Sequence, residues 1–165
     1  MRPVRSFLKE LTVSLILVAC TANVCRSPMA AGLLRRQLAA KGFDARHRVV
    51  SAGVWATEDA PASENAVATM AERGIDISDH RSRSLNSEEV AGADLILVMT
   101  REHARLIRHT WPQYAWKVHL LSEMIGKRRD VEDPYRGPIE EYRACADTMS
   151  RYIHDGLERI LELAG

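Results

Sequence analysis

The sequence predicts an α/β fold: a three-layer α/β/α sandwich around a central four-stranded parallel sheet, with an anion-binding loop after strand 1. Three observations predict it. Short apolar runs rich in Val, Leu and Ile begin at residues 11–19 (LTVSLILVA), the pattern of strands buried on both faces. Segments of helical period separate these runs, so successive strands are joined by crossovers and lie parallel. The first run ends in CTANVCRSP, a strand-to-helix junction, and ligands of open parallel sheets bind at the carboxyl ends of strands.

Each element has a local justification. Leu11 to Ala19 forms the first strand. Ser27 and Pro28 carry helix-start chemistry, because proline is tolerated in a first turn. Met29, Leu33, Leu34 and Leu38 then recur at helical spacing until Gly42 closes the segment. Arg48 to Ala52 (RVVSA) suits a second strand. SENAVATMAERG reads as a helix with Ser63 as N-cap and Gly74 as its end. A polar stretch, DISDHRSRSLNS, leads to a short helix near Glu88 to Ala91 and then the strand DLILVMT. REHARLIRHTW is helical, Lys117 to Leu121 is a fourth strand, and DVEDPYRGP is a loop. Ile139 to Leu163 keeps apolar residues near a period of 3.6, which predicts one long closing helix.

Composition narrows the function. The 165 residues suit a single domain, with residues 1–10 as an N-terminal extension. Apolar residues at 46% and charged residues at 27% exclude a disordered chain. A net charge of +1 provides no general attraction to nucleic acid or to anionic membrane. No apolar run reaches the roughly 18 residues of a membrane-spanning helix. The cysteines Cys20, Cys25 and Cys145 are odd in number and too few for a disulfide framework.

The junction at residues 20–28 has chemistry of its own. Backbone amides of such a loop form a concave nest, and the following helix adds partial positive charge. That concavity suits a tetrahedral dianion. Arg26 supplies a planar fork able to hold two phosphate oxygens. The same field favours thiolate over thiol at Cys20. Cradle, fork and sulfur nucleophile together describe phosphoryl transfer through a cysteinyl-phosphate. Ser27 is placed to donate its hydroxyl to the sulfur, and Asn23 tolerates a left-handed backbone in so tight a loop. Transfer to sulfur also needs an acid for the leaving oxygen and later a base for water. Asp133 in its Asp-Pro turn is the candidate, with Asp130 and Glu132 as neighbouring rivals.

These residues resemble the low-molecular-weight protein tyrosine phosphatase family, whose phosphate loop usually reads C-x-G-N-x-C-R-S-P. SAG at 51–53, GIDISDHRSRSL at 74–85, ADLILVMT at 93–100 and DPYRG at 133–137 fall in the family's order, so the resemblance covers roughly residues 12–163. It implies Cys20 as nucleophile, Arg26 as phosphate binder and transition-state clamp, and Asp133 as general acid and then base. It implies a phosphate loop of Thr21, Ala22, Asn23, Val24, Cys25, Arg26 and Ser27, shaped by a network of Asn23, Ser27, Ser51 and His80. Cys25 matches the family's second loop cysteine, able to pair reversibly with the nucleophile under oxidation; from the residues alone it is equally a packed small hydrophobe. Cys145 reads as structural. One departure is Ala22, which adds a methyl where the family has glycine.

The resemblance also sets the remaining expectations: no cofactor and no metal, a phosphoprotein or phosphopeptide as partner, no nucleic-acid or membrane partner, a monomer or weak dimer, and a cytoplasmic location. Trp55, Tyr135 and Val24 are the expected walls of the substrate pocket, and a deep slot favours phosphotyrosine. Protein arginine phosphatases resemble the same family but carry Thr at the position of Val24, whereas DPYRGPIEEY resembles that branch too. Arsenate reductases of this fold need a further cysteine pair. Two other readings compete: a phosphate-binding module without turnover, and a lipoprotein in which MRPVRSFLKELTVSLILVAC is a secretion signal and Cys20 the lipid acceptor.

Overall fold

The structure, a computed structural model, describes residues 12–165. The expected extension at 1–10 and Leu11 of the first strand lie outside the described residues. Four parallel strands form one sheet: β1 (Ser14–Cys20), β2 (His47–Gly53), β3 (Leu95–Val98) and β4 (Val118–Leu120), in the order β2-β1-β3-β4. The crossovers carry α1 (Arg26–Ala40), α2 (Glu64–Glu72), α3 (Ser87–Gly92) and α4 (Arg101–Thr110). The chain closes with α5 (Ile139–Asp155) and α6 (Leu157–Ala164). This is the three-layer α/β/α arrangement that the strand–helix alternation predicts.

The apolar run of β1 is continuous because β1 is central and covered twice. Ile16, Val18 and Cys20 join Met29 and Leu34 of α1 and Met149 and Ile153 of α5 in one core. Leu17 and Ala19 face the other way, toward Val90, Ala104 and Ile107 of α3 and α4. β1 pairs with β2 from Ser14↔His47 to Cys20↔Gly53, and with β3 from Ile16↔Leu95 to Ala19↔Val98. The first crossover runs to one side of β1 and the second to the other, so the order of strands reverses there. A crevice forms at the carboxyl ends of strands flanking such a reversal. Cys20 ends β1 at that crevice.

All four strands are found, with bounds one to three residues from expectation, and two helix boundaries differ as well. α1 begins at Arg26 with Cys25 as its N-cap, one residue before the Ser27-Pro28 signal. The long closing helix is broken at Gly156 into α5 and α6. The cause is packing: a Cβ on Gly156 would lie 2.5 Å from Met124 Cβ and 2.5 Å from the Tyr152 carbonyl oxygen. The segment Leu121–Ile125, a 3₁₀ turn, presses on the backbone there, and period alone does not reveal it.

Candidate active site

Residues 21–25 form an irregular loop between β1 and α1. Among the described residues, the amides of Ala22, Asn23, Val24 and Cys25 donate to no acceptor in the chain. Consecutive unpaired N–H groups at a helix start are the nest an anion needs. Asn23 takes the left-handed turn with φ 60°. Ala22 is outside the positive-φ set among the described residues, so its methyl is accommodated where the family has glycine.

The loop is held from beneath. Asn23 Nδ2 donates to Ser27 Oγ at 2.8 Å and to Ser51 Oγ at 3.0 Å. Its Oδ1 accepts from the Arg83 amide at 3.1 Å, and its carbonyl accepts from His80 Nε2 at 2.6 Å. Burial, aided by Arg35 and Arg83, pushes the His80 imidazolium below its ordinary range. Ser27 Oγ also lies 3.0 Å from Cys20 Sγ, so one hydroxyl joins the supporting network to the sulfur. Cys20 is 3% exposed. A lipid-acceptor role fits poorly: cleavage before Cys20 would remove the strand that pairs with both β2 and β3.

Gly53 closes the floor. A Cβ there would stand 2.6 Å from the Thr21 carbonyl oxygen and 3.0 Å from the Ala22 carbonyl carbon. The glycine lets the end of β2 lie flush against the loop. The sequence shows SAG at this place without revealing the role, although a glycine at a strand end is itself a signal of close backbone approach.

Arg26 is 4% exposed and holds three partners. Nη1 donates to the Val131 carbonyl at 3.0 Å, Nη2 donates to Thr21 Oγ1 at 3.3 Å, and Nη2 lies 3.4 Å from Asp133 Oδ2. The acid loop is anchored at its base: the Val131 amide donates to the Met99 carbonyl at 2.8 Å, and Asp130 Oδ1 accepts from the Arg101 amide at 2.9 Å. Asp130 is therefore engaged with Arg101. Glu132 is exposed, and among the described residues its carboxylate has no hydrogen-bond or ion-pair partner. Of the three acidic candidates, Asp133 faces Arg26. Its Oδ1 accepts from the Tyr135 amide at 3.1 Å, which fixes the carboxyl in a tight turn.

The expected pocket walls occupy different environments. Trp55 is 65% exposed and its amide donates to the Thr21 carbonyl at 2.9 Å, which ties it to the loop. Tyr135 is 53% exposed, with the Arg136 guanidinium 5.4 Å from its ring centroid. Val24 is half-buried against the main core, its carbonyl accepting from the Ser63 amide at 2.9 Å. Cys25 is buried, with Sγ 3.3 Å from Ser63 Oγ and 3.5 Å from the Tyr142 hydroxyl, and burial raises its thiol. Burial likewise pushes Cys145 up to about 12.

His103 belongs to the site although no motif in the sequence singles it out. It lies in the first turn of α4, with Nε2 2.8 Å from Thr21 Oγ1. The available signal was its phase: His103, Ala104 and Ile107 share the buried face of α4. Among the described residues, no group of three or more His, Cys, Asp or Glu is arranged to hold a metal ion, and no helix is long and apolar enough to cross a membrane.

A buried thiol beside an amide-lined loop, with Arg26 joining that loop to the Asp133 turn on an α/β/α frame, is the arrangement expected of a phosphatase of the cysteine-loop class. Comparison narrows the class. Residues 15–162 match the family described as low molecular weight phosphotyrosine protein phosphatase. A probable low molecular weight protein-tyrosine-phosphatase of Ralstonia nicotianae is 38% identical over 151 residues, covering 92% of this chain and 99% of that protein. A protein-arginine-phosphatase of Geobacillus stearothermophilus is 40% identical over 147 residues, covering 88% of this chain and 95% of that protein. The crystal structure of a low molecular weight protein tyrosine phosphatase from T. tengcongensis superposes with a TM-score of 0.84 at 44% identity, covering 88% of this chain and 99% of that one. The chain belongs to the low molecular weight phosphotyrosine protein phosphatase family, and it is a protein phosphatase.

Proposed function

We propose that the enzyme hydrolyses phosphotyrosine in proteins through a cysteinyl-phosphate on Cys20, with Arg26 as phosphate clamp and Asp133 as acid and then base. The observation that carries this reading is the pairing of Arg26 with both the loop and the Asp133 turn. The loop amides and the Arg26 fork bind the phosphoryl oxygens. Arg26 leaves Asp133 for the dianion, and the freed carboxyl takes a proton. Cys20 thiolate attacks phosphorus, the P–O bond breaks, and the Asp133 proton passes to the tyrosyl oxygen. Ser27 stabilises the sulfur charge through its hydroxyl. Water then attacks phosphorus and yields its proton to Asp133. The P–S bond breaks, orthophosphate departs, and the thiolate is restored.

Phosphotyrosine is favoured over phosphoarginine because Val24 offers no hydroxyl and two exposed aromatic residues, Trp55 and Tyr135, adjoin the loops of the site. Aromatic walls clasp an aryl ring. A thiol nucleophile beside a second buried thiol must stay reduced, which fits a cytoplasmic location. The test is parallel initial rates on a phosphotyrosine peptide and a phosphoarginine peptide, using wild type, Val24→Thr and Cys20→Ser. The reading expects wild type to prefer phosphotyrosine, Val24→Thr to move toward phosphoarginine, and Cys20→Ser to turn over neither. A wild-type preference for phosphoarginine overturns the substrate assignment, and turnover by Cys20→Ser overturns the mechanism.

A further inference from the structure

Thr21 follows β1 and His103 follows β3, so the two flank the crevice where the strand order reverses. His103 is held there twice: its amide donates to Thr100 Oγ1 at 3.1 Å, and its Nε2 meets Thr21 Oγ1 at 2.8 Å. The imidazole is 4% exposed. Among the described residues, its Nδ1 is buried with no hydrogen-bond partner. An apolar side chain would fill that space without leaving a polar atom unpaired. Among the described residues, the one side-chain bond the ring keeps goes to the hydroxyl that also accepts from Arg26 Nη2.

We propose that His103 is a positioning residue for phosphate capture: it fixes the Thr21 hydroxyl, which in turn orients the Arg26 guanidinium over the loop. The inference rests on the reading of Arg26 as phosphate clamp. A threonine hydroxyl is a rotor with one proton and two acceptor sites. With Arg26 on one acceptor site, the imidazole settles the remaining direction of the rotor. The charged groups acting on the ring are Arg26, Asp130, Asp133 and Glu102. Burial first, and Arg26 second, hold the imidazolium down to about 4. The ring is thus neutral at working pH and sets no second cation against Arg26.

The test measures turnover of para-nitrophenyl phosphate and competitive inhibition by inorganic phosphate in wild type and in His103→Leu, His103→Gln, Thr21→Val and the Thr21→Val/His103→Leu double variant. Removing a hydrogen bond that supports a charged group is expected to raise the phosphate inhibition constant roughly tenfold in His103→Leu. His103→Gln, whose amide reaches the place of Nε2, is expected to recover most of that loss. In the Thr21→Val background, His103→Leu is expected to add nothing. A folded His103→Leu with wild-type inhibition, equal losses in Leu and Gln, or additive losses in the double variant each overturn the inference. Thr21→Val must itself raise the constant, and a wild-type value there overturns it even where His103→Leu does not fold. Arg26→Lys separates the two levels. If that variant leaves phosphate inhibition unchanged, the clamp reading fails; if it weakens inhibition while His103→Leu does not, only the positioning role fails.

Discussion

Arg26 Nη2 lies 3.4 Å from Asp133 Oδ2, so in the free enzyme the two side chains proposed as phosphate clamp and proton donor occupy one another. Arg26 is buried whereas Asp133 is half-exposed, which makes the carboxyl the partner that is easily replaced. An incoming dianion competes with Asp133 for the same guanidinium. Asp133→Asn is therefore expected to bind inorganic phosphate severalfold more tightly while kcat falls about 10²- to 10⁴-fold, the usual share of general acid–base catalysis. Inhibition and turnover measured on one preparation check both directions. Weaker phosphate binding in the variant would show that Asp133 supports the clamp and does not compete for it.

Gly53→Ala tests the floor of the loop. The new Cβ would meet two backbone atoms of the loop, at 2.6 and 3.0 Å, and Ala56 Cβ at 2.9 Å. Backbone cannot rotate aside as a side-chain tip can, so the loop itself shifts. Overpacking of this kind destabilises by about 1–3 kcal/mol. Displacement by about 1 Å at the nucleophile is expected to lower kcat by about a hundredfold. Thermal melts and steady-state rates on an aryl phosphate check the two effects, and wild-type kcat in Gly53→Ala would refute the close-contact account.

The frame was legible because β1 is buried on both faces, and an uninterrupted apolar run as short as LILVA suits a central strand better than a helix. The loop was legible for a different reason: Cys20, Asn23, Arg26 and Ser27 are local in sequence, and their chemistry depends on short spacing. Asp133 was legible from its Asp-Pro turn and the family resemblance, and the structure adds why its rival Asp130 is engaged elsewhere, since the Arg101 amide takes the Asp130 carboxylate. His103 and Gly53 escaped because their roles are contacts across the sheet. A histidine at the start of a helix and a glycine at a strand end have many uses. Only the register Cys20↔Gly53 and the neighbouring ends of β1 and β3 select these. Gly156 escaped likewise, since Met124 presses on it from a distant segment.

Acid stability follows from two histidines held neutral. His103 is lowered from 6.5 to about 4, and His80 is lowered as well, each chiefly by burial. In the unfolded chain both titrate near the ordinary value. As pH falls through about 6.5 the unfolded state takes up protons that the folded state refuses, so stability declines with acidification. The His103 share of the loss is complete below about pH 4, where the folded ring also charges. At about 1.4 kcal/mol per pH unit, the gap from 6.5 to about 4 amounts to roughly 3 kcal/mol. Denaturant unfolding between pH 7.5 and 4 checks this, with His103→Gln expected to show the shallower decline. Parallel declines would place the sensitivity elsewhere.

Oxidation supplies the last prediction. Cys25 Sγ faces Ser63 and Tyr142, and burial keeps it a thiol, while Cys20 Sγ sits beside Ser27 at the nest. Peroxide is therefore expected to act first on Cys20, giving up one oxygen to its sulfur to form a sulfenic acid and leaving as water. If Cys25 then rotates toward the nest, its thiol condenses with that sulfenic acid, forming one S–S bond and releasing a second water. The disulfide protects the nucleophile from further oxidation. Wild type exposed to a small excess of peroxide is expected to regain most activity with a dithiol reductant, and Cys25→Ser to regain little. Mass spectrometry of the oxidised wild type should show the two thiols joined. Equal recovery in both proteins would leave Cys25 as a packing residue beneath the loop, a role for which its contacts with Ser63 and Tyr142 suffice.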